Sequence, residues 1–395
     1  MFIPFVIGSI AVILTYLTRD RQNGLGLKLA FVVIFAFLAL RYDYGNDYMA
    51  YLEGFGDITV WDWDQIAITT EHWEPGWMFL HILFRPFGFF AMVAFTSLAT
   101  CIIFYRFIRN FVPAQLQWFA VFLYVFDPDL MLIPASAMRQ NVGILLFMIA
   151  IEFLYKKKKL IFVYLLLTIV AATFHKTAYV LPLLFVLAFV NIRINKVIGG
   201  ILVLVFIAMF LAGGQFLGYI NMIVDSYLPK YAGYLLGSGA RLTSGIGVAF
   251  ALFQLLCILY FASLEFAPHA KESLEFQEQQ GDDFLPTEHD LPTEDRYAAF
   301  LNLKARRLLF KIAIITFIFI PLALQLAMIG RINMYFTPML MAVFSIILFS
   351  TRSVIFYVMF LSAMIGFTLF KFVMFFLSPV WAEKFGTYQT IFSAT

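Results

Sequence analysis

The chain has 395 residues, of which 63% are hydrophobic and 13% charged, with 49 phenylalanines, a formal net charge of +3 and a mean hydropathy of +0.89. Soluble domains are about half apolar and about a quarter charged, so this composition excludes a water-soluble globule and leaves lipid as the solvent. The two cysteines, Cys101 and Cys257, lie inside apolar runs and read as small buried hydrophobes rather than a disulfide.

A transmembrane helix needs about 20 mostly apolar residues. In chain order, about twelve spans are predicted, near 2–18, 27–42, 87–108, 114–132, 137–155, 160–174, 177–192, 197–217, 245–264, 308–329, 334–350 and 353–377. The opening MFIPFVIGSIAVILTYLTRD has neither a basic leader nor a small-residue cleavage site, so it reads as a retained first helix. Pro75–Arg85 is apolar but too short to cross, and is expected to lie at the interface or to dip in and return. The fold class is therefore all-α, a polytopic integral membrane protein forming one transmembrane domain over 1–395. An outer loop at 43–86 carries the interfacial or re-entrant helix, and an acidic loop occupies 265–305.

Loop charges set the expected orientation. Eighteen of the 27 basic residues fall on one side, including Arg19, Arg21, Arg106, Arg109, Lys156 to Lys159, Lys304, Arg306, Arg307 and Lys311, which makes that side cytoplasmic. Both termini then face outward. The cytoplasmic 265–305 loop holds ten acidic residues and a near-duplicate, LPTEHD then LPTEDR. It reads as a flexible charged loop or a partner-docking segment. Its His269 and His289 have no metal-site spacing.

The basic residues on the minority side each need a reason. Arg41 closes the second span and opens RYDYGNDYMAY. The first outer loop follows, with Asp43, Asp47, Glu53, Asp57, Asp62, Asp64, Glu71 and Glu74 among Tyr42, Tyr44, Tyr48, Tyr51, Trp61, Trp63, Trp73 and Trp77. Carboxylates that bond hydroxyls beside flat rings suit a sugar site; an interfacial aromatic belt explains the same residues. The WDWD spacing is by itself a weak sign of metal-dependent sugar transfer. Arg139 lies in PASAMRQN at the start of the fifth span. His175 and Lys176 lie in ATFHKTAY, where two apolar helices meet with hardly any loop, and Arg331 lies in MIGRINMYF.

An arginine at the bilayer centre costs about 2.5–3.5 kcal/mol on insertion scales. Nearer the interface, any single one is explained by snorkelling to lipid phosphates. Jointly, cations delivered by helices far apart in sequence build a positive cavity at the outer face. Guanidinium forks bind phosphate oxygens bidentately, which points to an anionic, lipid-linked phosphate ligand. His175 is either a structural histidine satisfying a buried turn or a general base held neutral by Lys176.

RYDYGNDYMAY, WEPGW, SAMRQNVG, FHKTAYVLPL and GRINMYF occur in an order that resembles the EpsG-like family of Wzy-type polysaccharide polymerases, over roughly residues 35–340. The resemblance implies a glycosyltransferase of the bacterial inner membrane with its active site toward the periplasm or outer surface. It would join oligosaccharide repeat units carried on undecaprenyl pyrophosphate, for exopolysaccharide, capsule or O-antigen, inverting the anomeric centre. No cofactor, metal or nucleotide sugar is expected, and no nucleic acid; a flippase and a chain-length regulator are expected partners.

On this reading Arg139 and Arg331, with Arg41 and Lys176, grip the pyrophosphate. His175 or Asp47 removes the acceptor proton, and Asp43, Asp47, Tyr48, Glu74 and Trp77 hold sugars. The rival readings are a flippase for the same lipid-linked sugars, a membrane acyltransferase, and another polyprenyl-phosphate-dependent transferase such as an O-antigen ligase. A flippase should show internal duplication and charges near the midplane of both halves; neither is visible in the sequence.

Overall fold

The computed structural model describes residues 1–19, 24–57, 74–156, 160–189, 194–227, 245–266, 303–324 and 327–393. In chain order its helices are α1 (Phe2–Leu17), α2 (Leu25–Ala39), α3 (Tyr48–Asp57), α4 (Pro75–Phe84), α5 (Phe89–Phe111), α6 (Gln117–Phe126), α7 (Leu132–Ser136), α8 (Met138–Lys156) and α9 (Ile161–Phe174). A 3-10 helix over Lys176–Phe185 leads to α10 (Val186–Phe189) and α11 (Lys196–Tyr227). Then come α12 (Gly245–Glu265), α13 (Leu303–Ala323), α14 (Ala327–Ser350), α15 (Val354–Leu377) and α16 (Pro379–Phe385). A two-residue strand β1 (Arg41–Tyr42) pairs antiparallel with β2 (Gln389–Thr390), Arg41 opposite Thr390.

The protein is a mostly helical, multi-pass membrane protein. Among the described residues five helices are long and apolar enough to cross a membrane, over 89–111, 138–155, 246–265, 329–350 and 354–377. Shorter apolar helices of 10–17 residues, α1, α2 and α9 among them, accompany these. Two predicted spans take a different form. The stretch expected to run through 114–132 stops at Phe126, because Asp127 and Pro128 open a turn in which the Asp127 carboxylate accepts from the Asp129 backbone N–H at 3.0 Å. The stretch expected over 177–192 begins as a 3-10 helix with Pro182 inside it, where proline supplies no backbone donor.

The chain divides into two compact units, residues 1–183 with 351–395, and residues 184–350. In the first, α1 pairs with α2 and α6, α5 lies between α2 and α8, and α8 packs along α9. Gly8 brings α1 close to α6: a Cβ there would stand 3.1 Å from the Val125 side chain. Helices in lipid are held by such close approach and by polar links. Asn141 Nδ2 donates to Thr100 Oγ1 at 2.8 Å, and Arg106 pairs with Glu152 at 2.8 Å, both joining α5 to α8. In the second unit α13 pairs with α14 and carries α11 and α12. Arg306 meets Glu265 at 3.3 Å, and Asn333 donates to the Thr316 carbonyl at 3.2 Å.

The end of the chain folds back over the segment that follows α2. Tyr388 stacks on Phe37 at 4.8 Å and donates to its carbonyl at 2.6 Å. The Gly45 N–H donates to the Lys384 carbonyl at 3.2 Å, and the Ile391 N–H to the Leu40 carbonyl at 3.0 Å. Gly45 has φ +118°, and a Cβ would sit 2.7 Å from Ser136 Cβ, so backbone conformation and space both require glycine. RYDYGND is thereby clamped between α7 and the C-terminal segment. The outer-loop residues Trp61, Asp62, Trp63, Asp64, Glu71 and Trp73, and the acidic segment 267–302 with His269 and His289, lie outside the described residues.

Candidate functional site

The site is built on one face of α3. Tyr48, Tyr51 and Phe55 recur at helical spacing, which puts them on a single side. Tyr48 meets Phe89 at 5.4 Å, Tyr51 meets Trp77 at 4.9 Å and Phe55 meets His81 at 5.3 Å. With Leu80, Met92, Val93 and Met138 these residues form a continuous buried cluster. Among its described residues the 43–86 stretch, expected to hold one interfacial helix, has two, α3 and α4, with the aromatic face of α3 seated on α4 and the start of α5. Both are too short to cross a bilayer.

Arg139, on the first turn of α8, is brought to this cluster. Its Nη1 meets Glu74 Oε2 at 2.5 Å, its Nε donates to the Tyr51 hydroxyl at 3.4 Å, and its guanidinium carbon lies 5.7 Å from the Tyr51 ring centre. The Arg139 side chain is 24% exposed and the Glu74 side chain 9%, so the pair has one open flank. Glu74 is the N-cap residue of α4, yet its side chain makes no cap hydrogen bond and turns instead to Arg139. Burial pushes the Tyr51 hydroxyl up to about 12, against the opposing pull of Arg139. Burial likewise holds the His81 imidazole down, to about 4, with the Arg139 charge pushing the same way.

WEPGW now has a physical reading. Glu74 reaches Arg139, and Pro75 opens α4 at a position that tolerates a missing N–H. Gly76 allows α4 to press on the end of α9: a Cβ would lie 2.5 Å from Thr173 Oγ1 and 2.9 Å from the Thr173 carbonyl oxygen. Trp77 is wholly buried. Phe174 packs against the same cluster, so the end of α9 that leads into His175 abuts the first turn of α4. His175 Nδ1 lies 2.6 Å from Thr177 Oγ1 and accepts from the Thr177 backbone N–H at 3.4 Å. A neutral imidazole that accepts at Nδ1 carries its proton on Nε2.

The remaining predicted residues fall in distinct environments. Arg41 is 2% exposed and braces the unit from inside: it donates to the Leu38 carbonyl, to Ser97 Oγ at 3.0 Å and to the Ala135 carbonyl at 3.0 Å. Tyr48 is also in the interior, its hydroxyl donating to the Arg41 carbonyl at 3.0 Å. Asp43 sits at φ 42° with Lys384 3.7 Å from its carboxylate. Asp47 is exposed at the start of α3, and its backbone N–H donates to Ser136 Oγ at 3.3 Å. Lys176 is exposed beside His175. Arg331 is exposed on α14, in the second unit.

Two participants were not singled out from the sequence. Tyr51 stands in the sequence only as one of the outer-loop aromatics that suit a sugar site or an aromatic belt, although its i, i+3 relation to Tyr48 marks a helix face. Lys371, inside α15, bridges Asp127 at 2.5 Å and Asp129 at 2.8 Å. A lysine within an apolar span demands a carboxylate partner, and FDPDL in another apolar run was the available signal. Among the described residues no three His, Cys, Asp or Glu side chains gather as metal ligands.

No curated protein and no solved structure matches this chain. Residues 27–390, nearly its whole length, match the EpsG family, and the chain belongs to that family.

Proposed function

We propose that this chain is a polysaccharide polymerase that joins oligosaccharide repeat units carried on undecaprenyl pyrophosphate at the outer face of the bacterial inner membrane. Family membership supports a membrane protein of polysaccharide biosynthesis. The observation that carries the finer reading is Arg139, a partly exposed arginine on the wall made by α3, α4 and α8, with α4 pressed against the end of α9 that leads into His175. Its guanidinium is suited to a diphosphate oxygen. As the bond between the donor sugar and pyrophosphate breaks, charge grows on the leaving oxygen, and a preorganised cation there lowers the barrier. The acceptor hydroxyl attacks the anomeric carbon from the opposite face, inverting it, and gives up its proton to a side chain at the same site, His175 or Asp47 on the motif reading. Asp43 and Glu74 carry carboxylates suited to sugar hydroxyls, while Tyr48 and Trp77 are buried and support that wall from within. Lys176, exposed next to His175 in sequence, adds positive charge for the anionic carrier.

The test is purified protein in liposomes with lipid-linked repeat units and no nucleotide sugar. A ladder of lengthened lipid-linked products is expected, and Arg139→Ala that still inserts should lose it. Translocation of the carrier without lengthening would instead favour a flippase.

A further inference from the structure

Glu74 is the most deliberately held carboxylate in the site. It occupies an N-cap position without capping, is 8% exposed, and places its Oε2 2.5 Å from Arg139 Nη1. The glycine two residues on fixes the helix end that carries it against Thr173. A buried carboxylate of this kind is stable only with its counter-charge. Arg139 is also the cation open to an incoming diphosphate, whose greater negative charge competes with Glu74 for the same guanidinium.

Resting on the polymerase reading above, we propose that Glu74 is the proton acceptor of the transfer, masked by Arg139 in the free protein and unmasked when the donor diphosphate draws the guanidinium away. In the step, the acceptor hydroxyl oxygen forms a bond to the donor's anomeric carbon, and the bond from that carbon to the pyrophosphate oxygen breaks. The electron pair leaves on pyrophosphate, neutralised by Arg139, and the hydroxyl proton passes to a Glu74 carboxylate oxygen. Once Arg139 has moved to the diphosphate, the Glu74 oxygen it covered is open to the hydroxyl proton, so the base becomes competent only with a donor in place. A water molecule arriving without a donor meets a carboxylate already paired. The neighbours differ from it: His175 Nδ1 is already engaged by Thr177, 2.6 Å from its hydroxyl, and Asp47 is exposed where Glu74 is buried. Glu74 is thereby a catalytic residue rather than a sugar clamp.

The experiment compares wild type and Glu74→Gln in liposomes, measuring donor binding and single-turnover transfer separately. Glutamine keeps the shape and an oxygen for Arg139 but cannot take the proton. Donor binding is expected to be retained or tightened while transfer falls by about 10²–10⁴-fold, the usual range for a lost general base. Formate added to Glu74→Ala should restore part of the transfer, which a purely positional role would not allow. Wild-type transfer rates in Glu74→Gln, or loss of donor binding with it, would overturn the assignment. A wild-type protein that binds donor yet makes no lengthened product would instead overturn the polymerase reading on which it rests.

Discussion

Gly76→Ala is the sharpest probe of how the site is assembled. The added Cβ would stand 2.5 Å from Thr173 Oγ1 and 2.9 Å from the Thr173 carbonyl oxygen, against an ordinary contact of 3.4 Å. Relief therefore requires the helix end to move by about 0.5–0.9 Å, since ordinary contact is regained only at that separation. Rotating Thr173 is not free, because its hydroxyl donates to the Val170 carbonyl at 2.7 Å. Overpacking of this kind costs about 1–3 kcal/mol. The first turn of α4 carries Glu74 with it, stretching the 2.5 Å contact to Arg139. A displacement near 1 Å in a reacting constellation costs about 10²-fold in rate. The assay is thermal unfolding in detergent together with the lipid-linked ladder. Gly76→Ala should melt earlier and polymerise far more slowly, and adding Thr173→Ala should recover only part of both, because the carbonyl contact remains. Wild-type stability and rate in Gly76→Ala would refute the close approach of α4 to α9, and with it the joining of Glu74 to the histidine turn.

Three further outcomes are expected. Arg139→Ala leaves Glu74 without its partner and should lower stability by about 3–5 kcal/mol, the usual effect of breaking a buried pair; pairing it with Glu74→Gln should recover most of that loss while activity stays absent, as read by melting and polymer assays. Lys371→Met should destabilise by a similar amount of about 3–5 kcal/mol by stranding Asp127 and Asp129, and Asp127→Asn added to it should repair the fold; an unchanged melting temperature in Lys371→Met would remove the bridge from the account. His81, held near 4 by burial, is neutral in the folded protein while the unfolded chain takes up a proton near 6.5. The unfolded state thus binds more protons between those values, so stability should fall as pH drops from about 6.5 towards 4, by up to about 3 kcal/mol at 1.36 kcal/mol per pH unit. His81→Phe should flatten that part of the melting-temperature profile, and an unaltered profile would contradict it.

Much of the site was legible as motifs, because polar residues in an apolar chain are conspicuous whatever the fold. Arg139, Glu74, His175 and the tyrosines of RYDYGNDYMAY all stood out in that way. Their partners were not legible. Tyr48 and Trp77 have the composition of a sugar-binding surface, yet both face the interior, since α3 turns its aromatic side to α4 and α5. Arg41 looked like another ligand arginine, but the β1 position turns it inward onto carbonyls of α2 and α7.

The sequence by itself determined the solvent and the element type: so much apolar surface, so few charges and a lipid-length rhythm admit only helices in a bilayer. It also determined where α4 begins, at Pro75, whereas only the packed structure shows why Gly45 and Gly76 are glycines. The tertiary structure alone decided which charges meet. Glu74 and Arg139 are 65 residues apart and Asp127 and Lys371 are 244 apart, and helix packing in lipid depends on shape complementarity and scattered polar links rather than on a periodic pattern. Such pairings leave no local trace in the chain, so the pocket's chemistry was readable residue by residue while its wiring was not.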